Sequence, residues 1–289
     1  MFAGGEPTLL GEDLLNSIAH ANSLGIMTRL VTNVYWASTP QRAREGMTAL
    51  RQAGLRELNI SYDDYHLPFI KPINLKHAYT AAYDLGFDTI VFANSFHKNS
   101  VVKPEFIQNV VGAPLAIVYR DEGDVPDFAT RTDYGTLIFI HAPSVQALGR
   151  FHSTRGREGI EERSLDELES GCPHAIRSAA ISPEGNLLSC CGTELAGNPV
   201  LDFGPAYDGS FKRALASADD DVIVQAICRK GPAFLAKFAQ AKDKTLSFRP
   251  TYGSVCEVCE DVVTRPDVIK VLREYADEIT DEMLAVSGA

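Results

Sequence analysis

The sequence lacks any apolar run close to the roughly 18 residues that a membrane-spanning helix requires. Its N-terminus also lacks the basic segment followed by an apolar one that marks a secretory signal. Basic residues are in the minority, with 27 Lys and Arg against 38 Asp and Glu, and the formal net charge is −11. A negative surface repels nucleic-acid backbones and anionic membranes. We therefore expect a cytoplasmic protein whose partners are small molecules, peptides or other proteins, with no nucleic acid and no membrane among them.

Cysteine is missing from the N-terminal half, and all six cysteines lie at or after Cys172. The cytosol keeps thiols reduced, so cysteines in an intracellular chain of this size are more often metal ligands or buried thiols than disulfides. Their spacing has to distinguish between those two roles.

The N-terminal half alternates between helical and strand-like patterns. Apolar residues recur at helical spacing in three segments: 12–24, from Thr39 or Pro40 to Gly54, and 72–86. Strand-like segments follow or intervene at 26–32, 55–61, 87–93, 114–119 and 136–141. Strict alternation predicts an α/β fold whose parallel strands form an open sheet or a barrel. Functional sites of such folds lie at the carboxyl ends of the strands.

The pattern changes after about residue 150, which predicts two domains, 1–150 and 151–289. The second domain contains helical pieces between Phe211 and Lys242, broken at Gly231-Pro232, and a closing amphipathic helix from Pro266 to Val286.

A Gly4-Gly5-Glu6-Pro7 segment follows what looks like a strand end at Met1-Phe2-Ala3 and precedes a helix. Two glycines let a ligand approach the backbone closely, and a neighbouring carboxylate can hold an ammonium group. The segment equally fits a turn leading into a helix with Pro7 in its first turn. It resembles the GGEP motif of radical S-adenosylmethionine (SAM) enzymes, which binds the amino group of the SAM methionine, and the resemblance assigns that role to Gly4, Gly5 and Glu6.

Two further strand ends resemble the same family in the same order. Thr32-Asn33 is similar to the T-N-G ending of the family's third strand, with Val34 in place of the glycine. Ser61 and Asp63 are similar to its S-x-D pattern, whose polar groups meet the SAM ribose and carboxylate. Taken singly, Asn33 also fits a turn and Asp63 a solvated loop. Asp63, together with Tyr62, Asp64 and His66, is also the best candidate for part of a substrate pocket.

The family's defining C-x3-C-x2-C motif, which ligates the cluster that cleaves SAM, is absent from these residues. We therefore expect a partial (β/α)6 barrel lacking its first βα unit, either as a fragment or misplaced start or as a degenerate homologue. We also expect no SAM cleavage by the chain as given, even after cluster reconstitution.

Four of the cysteines show a spacing typical of metal sites. Cys172 and Cys190 fit C-x12-G-x4-C around Gly185, and the intervening AAISPEGNLLSC predicts a hairpin that brings the two thiols together. Cys256 and Cys259 form a C-x2-C pair, which we expect to lie in a loop. Four thiolates suit a tetrahedral zinc ion or a 4Fe–4S cluster equally well.

This spacing resembles the auxiliary-cluster domains of radical SAM enzymes, called SPASM and twitch. Arg265 occupies the position where a SPASM domain has its next cysteine, so the pattern is that of the shorter twitch domain. The resemblance makes Cys172, Cys190, Cys256 and Cys259 the ligands of one auxiliary 4Fe–4S cluster in a small α+β domain. Cys191 and Cys228 are expected to be buried thiols.

The family resemblance implies an enzyme that, in complete form, uses SAM and a second 4Fe–4S cluster to abstract hydrogen from a peptide or small-molecule substrate. It also implies an electron donor such as flavodoxin or ferredoxin. Two alternatives stay open: a catalytically inactive remnant that binds one iron–sulfur cluster, and a zinc-stabilised binding module.

Overall fold

The computed structural model describes residues 1–119, 130–146, 148, 159–190 and 197–285. The chain forms two compact units, Met1–Val145 (unit 1) and Gln146–Ala289 (unit 2). The predicted domain boundary at 150/151 falls outside the described residues. In the described part of the chain, no helix is long and apolar enough to cross a membrane.

Unit 1 alternates helices with strands. Its helices are a 3₁₀ helix at Pro7–Leu10, α1 (Glu12–Ser23), α2 (Pro40–Ala53), α3 (Ile73–Ala82) and α4 (Pro104–Val111). Its strands are β1 (Arg29–Thr32), β2 (Glu57–Ser61), β3 (Thr89–Ala93), β4 (Ala116–Val118), β5 (Thr130–Arg131) and β6 (Leu137–His141).

The sheet of unit 1 has the strand order β1-β2-β3-β6-β4, with these five strands parallel and β5 antiparallel to β6. Phe2 adds a parallel bridge to Leu30 beside β1. The α/β class with parallel strands is confirmed. Because β6 lies between β3 and β4, the order is not sequential, and the finer expectation of a partial (β/α)6 barrel stays a prediction.

Helix α2 shows how local chemistry sets the element boundaries. The Thr39 hydroxyl accepts a hydrogen bond from the Arg42 N–H at 3.2 Å, and Pro40 occupies the first turn, where its missing N–H costs nothing. The helix ends at Gly54, whose φ of 104° lies in the left-handed region. The buried face of α2, including Met47 and Leu50, packs on the core formed by the strands.

Unit 2 combines a small antiparallel sheet with helices. Its strands, in the order β7-β8-β9, are β7 (Ala180–Ile181), β8 (Asn186–Leu188) and β9 (Asp202–Pro205). Its helices are α5 (Phe211–Asp220), α6 (Val222–Arg229), α7 (Pro232–Lys242), α8 (Val255–Val263), α9 (Pro266–Glu274) and α10 (Ala276–Leu284). Strands β7 and β8 form the hairpin anticipated between Cys172 and Cys190.

Two sequence expectations for unit 2 were wrong. The Cys256-x2-Cys259 pair lies in helix α8 and not in a loop, because the Ser254 side chain caps the helix by accepting the Glu257 N–H at 3.2 Å. The single closing helix is two helices, α9 and α10, separated at Tyr275, whose φ of −107° and ψ of 29° leave helical geometry.

Candidate functional sites

The predicted residues of unit 1 lie along the carboxyl edge of the sheet. Thr32 pairs with Ile60, so Asn33 and Ser61 follow at the same level of β1 and β2, and Ser61 pairs in turn with Ala93. Asp63 lies two residues beyond Ser61 and is buried. Parallel register therefore brings these positions to one edge, as expected of an α/β fold.

Glu6 is hydrogen-bonded to the end of β1. Its Oε1 accepts from the hydroxyls of Thr8 (2.6 Å) and Thr32 (2.8 Å) and from the Thr8 N–H (3.2 Å), while Oε2 accepts from the Asn33 N–H (2.8 Å). Trp36 Nε1 donates to the Thr32 hydroxyl at 3.3 Å. We name Glu6, Thr8, Thr32, Asn33 and Trp36 the Glu6 network. Sequence reasoning missed Trp36, although it is the one tryptophan of the chain and lies four residues after the end of β1.

Gly4 and Gly5 both have positive φ values, 87° and 52°, which favour glycine. A Cβ at either position would meet nothing within 4 Å. The space beside this backbone is therefore open to a ligand.

Val34 stands where the resembled motif has glycine, and its backbone has a positive φ. Its φ is 52°, although it is β-branched and fully buried. Asn74 on α3 donates to the carbonyls of Val34 and Tyr35, both at 3.1 Å, and holds the turn. A β-branched residue in this region is strained by about 1–2 kcal/mol.

The cluster around Asp63 is largely engaged within the protein. Asp63 Oδ1 accepts from the N–H groups of Tyr65 (2.8 Å) and His66 (3.2 Å) and lies 2.8 Å from His66 Nδ1. Tyr62 is buried and donates to the Ile70 carbonyl at 2.7 Å. Burial, with the charge of Asp63, raises the pKa of Tyr62 to about 12, so Tyr62 stays a phenol.

Asp64 is also engaged within the fold. Its carboxylate accepts from the N–H groups of Val101 and Val102, at 3.1 and 2.7 Å. The His66 side chain is 28% exposed.

Unit 2 contains a pocket of about 130 Å³ that Cys172, Cys190, Cys256 and Cys259 all line. We name it the four-thiol pocket. Its other walls include the apolar side chains Leu201, Ile227, Val255 and Val263 and the polar ones Asn198, Glu260 and Thr264. Within the described ranges, no three His, Cys, Asp or Glu side chains are grouped tightly enough to hold a single metal ion. The four thiols thus line one cavity but are too far apart to ligate a single metal ion in this structure.

The four cysteines reach the pocket from three different segments of the chain. The Cys172 N–H donates to the Ile227 carbonyl at 2.9 Å, and this contact needs Gly171, where a Cβ would lie 2.6 Å from the Cys228 carbonyl oxygen. Cys190 follows β8. Cys256 and Cys259 are three residues apart on α8 and therefore share a helix face.

Buried hydrogen bonds fix the walls of the four-thiol pocket. Asn198 accepts from the N–H groups of Val200 and Leu201, both at 2.9 Å, and donates to the Val263 carbonyl at 3.2 Å. On α8, Glu257 is fully buried and accepts from the Gly253 N–H, with Arg249 Nη1 3.5 Å from its carboxylate. The Ser254-x-x-Glu257 pattern was a readable signal for this helix start.

The other three thiols of the pocket influence the pKa of Cys259. Burial raises the pKa of the Cys259 thiol well above its usual range, and the charges of Cys190, Cys256, Cys172 and Glu260 raise it further. Cys228, expected to be a buried thiol, is only partly buried: it lies in α6, packs against the unit 2 core and does not line the pocket. Cys191 lies outside the described residues.

No family model matches the chain. A comparison with curated proteins finds similarity to the protein described as "Putative peptide biosynthesis protein YydG" of Bacillus subtilis (strain 168). The two are 18% identical over 264 residues, which cover 89% of this chain and 74% of that protein.

Proposed function

We propose that this protein is of the radical SAM type and takes part in peptide modification, with a SAM-binding unit 1 and a twitch-type unit 2 that holds one auxiliary 4Fe–4S cluster. The observation that carries the proposal is the convergence of four cysteines, from three separate segments, on one pocket. The ordered strand-end motifs and the α/β fold of unit 1 support it, as does the similarity to a protein described by peptide biosynthesis.

The four-thiol pocket fits an iron–sulfur cluster in donor chemistry and in room. Thiolate is the ligand that such clusters take, and Cys172, Cys190, Cys256 and Cys259 would hold it. The cavity of about 130 Å³ exceeds the roughly 10–15 Å³ that a cavity needs to hold one water, so it has space for a group of several atoms. The cluster would supply one-electron transfer, and the protein would position it and shield it from water.

The edge of unit 1 fits an ammonium-bearing ligand at Glu6. Oε1 already accepts three hydrogen bonds, whereas Oε2 accepts one, from Asn33. Among the described residues Oε2 accepts a single hydrogen bond, which leaves it able to accept another from a ligand ammonium group. Gly4 and Gly5 leave the adjoining space open, and Asn33, Ser61 and Asp63 follow along the same edge.

For the substrate we propose a peptide, because the relative is described by peptide biosynthesis; a small molecule is the alternative. A flavodoxin or ferredoxin is the proposed electron donor. In its complete form, with the SAM-cleaving cluster, the protein would be an enzyme that works in the cytoplasm.

The SAM assignment is tested by titrating the protein with SAM and following both heat and tryptophan fluorescence. Trp36 belongs to the Glu6 network, so its emission should respond to occupancy. Glu6→Ala should weaken SAM binding by about 1.5–3 kcal/mol, the value of a hydrogen bond to a charged group. Glu12→Ala, which removes an exposed acid on α1, is the control. Equal SAM affinity in Glu6→Ala and the parent protein would contradict the assigned role.

A further inference from the structure

Trp36 begins a chain of hydrogen bonds that ends at Glu6. Its Nε1 donates to the Thr32 hydroxyl at 3.3 Å, and the Val34 N–H donates to the same oxygen at 3.2 Å. An indole N–H and a backbone N–H can only donate, whereas a hydroxyl has one proton and two acceptor positions. The two donors therefore occupy the acceptor positions of Thr32, and its single proton is donated to Glu6 Oε1, at 2.8 Å.

This chain acts on the carboxylate group of Glu6. A hydroxyl that accepts hydrogen bonds is a stronger donor, because linked hydrogen bonds polarise one another. Thr32 is buried, with 2% of its surface exposed, so bulk water has little access to the place of the indole N–H. The contact with Trp36 therefore strengthens the hydrogen bond that holds Oε1, while Oε2 is the oxygen assigned to a ligand.

Trp36 packs closely against a glycine of α2. A Cβ at Gly46 would lie 2.5 Å from ring atom Cζ3 and 2.8 Å from Cε3, closer than a side chain and a ring can approach. Gly46 lies inside α2, where glycine weakens a helix relative to alanine. The ring also packs on the unit 1 core. Position 46 thus gives up helix stability, and in return the indole fits between the helix and the core.

We propose that Trp36, held by Gly46, is a positioning residue for the Glu6 carboxylate and thereby sets the affinity of the site for the amino group of SAM. Trp36 acts through Thr32 and Glu6, and not through contact with the ligand. This inference rests on the proposed function, because it requires SAM to bind at Glu6. Its effect is confined to the part of the ligand that Glu6 holds, whereas a purely structural role would affect all parts of the ligand alike.

The test compares two ligands by isothermal titration calorimetry of the full chain. One is SAM, and the other is methylthioadenosine, which has the adenosine and sulfur of SAM without its amino and carboxylate groups. Trp36→Phe keeps an aromatic ring but removes the N–H donor, and it should weaken SAM binding roughly 3- to 10-fold, the effect of one hydrogen bond. Its affinity for methylthioadenosine should be unchanged. Tyr35→Phe, which removes a hydroxyl from the exposed neighbouring side chain, should leave both affinities unchanged.

Gly46→Ala is a second variant, which keeps the indole but displaces it. It should show the same selective loss of SAM affinity. The tryptophan emission of this variant comes from Trp36 alone, so a shift in the emission reports that the indole has moved.

The outcomes separate this inference from the SAM assignment. A parent protein that does not bind SAM overturns the assignment and the inference together. Equal SAM affinity in Trp36→Phe and the parent overturns the inference alone. Equal weakening for both ligands is a general loss of structure and equally overturns the positioning role. If circular dichroism shows that Trp36→Phe does not fold, the same comparison with Gly46→Ala decides.

Discussion

The two candidate sites are built on opposite physical principles. In unit 1 the site residues are polar groups at the ends of parallel strands, and they are hydrogen-bonded to one another through the Glu6 network. In unit 2 the site residues are thiols that three separate segments direct into a largely apolar pocket. The first arrangement stabilises itself. We expect the second to gain stability when a ligand holds the thiols as thiolates, because metal binding is coupled to folding.

The comparison predicts that ligand loss should affect unit 2 far more than unit 1. Removing a thiolate removes a ligand bond, whereas changing a strand-end side chain removes one hydrogen bond among several.

Cluster binding should be lost when a lining cysteine is replaced. Cys172→Ser or Cys259→Ser should reduce the iron and sulfide content after anaerobic reconstitution to the background of an unloaded sample. It should also abolish the thermal stabilisation that loading gives to unit 2. Cys228→Ser is the matched control, because Cys228 lies in unit 2 without lining the pocket. Equal iron loss in the control would remove the distinction between lining and core cysteines.

Removal of the buried Glu257 carboxylate should destabilise unit 2 by about 3 kcal/mol, the lower end for breaking a buried ion pair, since Arg249 is partly exposed. Glu257→Ala also leaves the Gly253 N–H without its acceptor. Urea unfolding followed by circular dichroism would measure the loss. The exposed acid Glu274 offers the comparison variant Glu274→Ala, for which we expect little change. Similar losses in the two variants would refute a special role for the pair.

Val34 should tolerate glycine better than another buried valine does. Val34→Gly loses about 1.5–3 kcal/mol of side-chain burial but relieves about 1–2 kcal/mol of backbone strain, so the net cost should be about 1 kcal/mol. Val91→Gly, in the interior of β3, has no strain to relieve and should cost about 2–4 kcal/mol in burial and backbone entropy. Equal free-energy losses in urea unfolding would argue against the strained turn after β1.

The smallest effect concerns the pH dependence of stability and Asp202, the first residue of β9. Burial raises the pKa of Asp202, but hydrogen bonds from the Gly197 N–H, the Gly204 N–H and the Asn186 side chain outweigh it and leave the pKa below its ordinary value. A depressed pKa in the folded state stabilises the protein above the unfolded-state pKa of about 3.9 and loses that effect as pH falls further. Asp202→Asn should therefore flatten the decline in stability below about pH 4. An identical acid-unfolding curve would contradict this.

The sequence predicted unit 1 better than it predicted unit 2. In unit 1, Gly25 and Gly54 follow the ends of two helices and have positive φ, as their positions suggested. A strand is observed within each of the five predicted strand segments. The order of the sheet was not readable, because the placement of β6 between β3 and β4 depends on pairing between distant segments. Helix α4 was missed altogether, although Pro104 stands in its first turn.

In unit 2, helix capping by Ser254 places the C-x2-C pair in a helix, where the sequence analysis had expected a loop. A C-x2-C pair suggested a loop, yet the capping residues Ser254 and Glu257 make it the start of α8. The break between α9 and α10 at Tyr275 could not be predicted, because no glycine or proline lies there. The spacing of the cysteines predicted which four of them would lie close together. Glu260 was not anticipated, because an acid following a cysteine on a helix carries no sequence signal of its own.

We expect the four-thiol pocket to hold one 4Fe–4S cluster. The most direct test is to reconstitute the full chain anaerobically with ⁵⁷Fe and sulfide, measure iron, sulfide and zinc per chain, and record the Mössbauer spectrum. The account predicts equal amounts of iron and sulfide and a spectrum typical of a four-thiolate cubane cluster, absent from Cys172→Ser and present in Cys228→Ser. A chain that binds one zinc ion and no iron would contradict the claim and would favour a zinc-stabilised binding module.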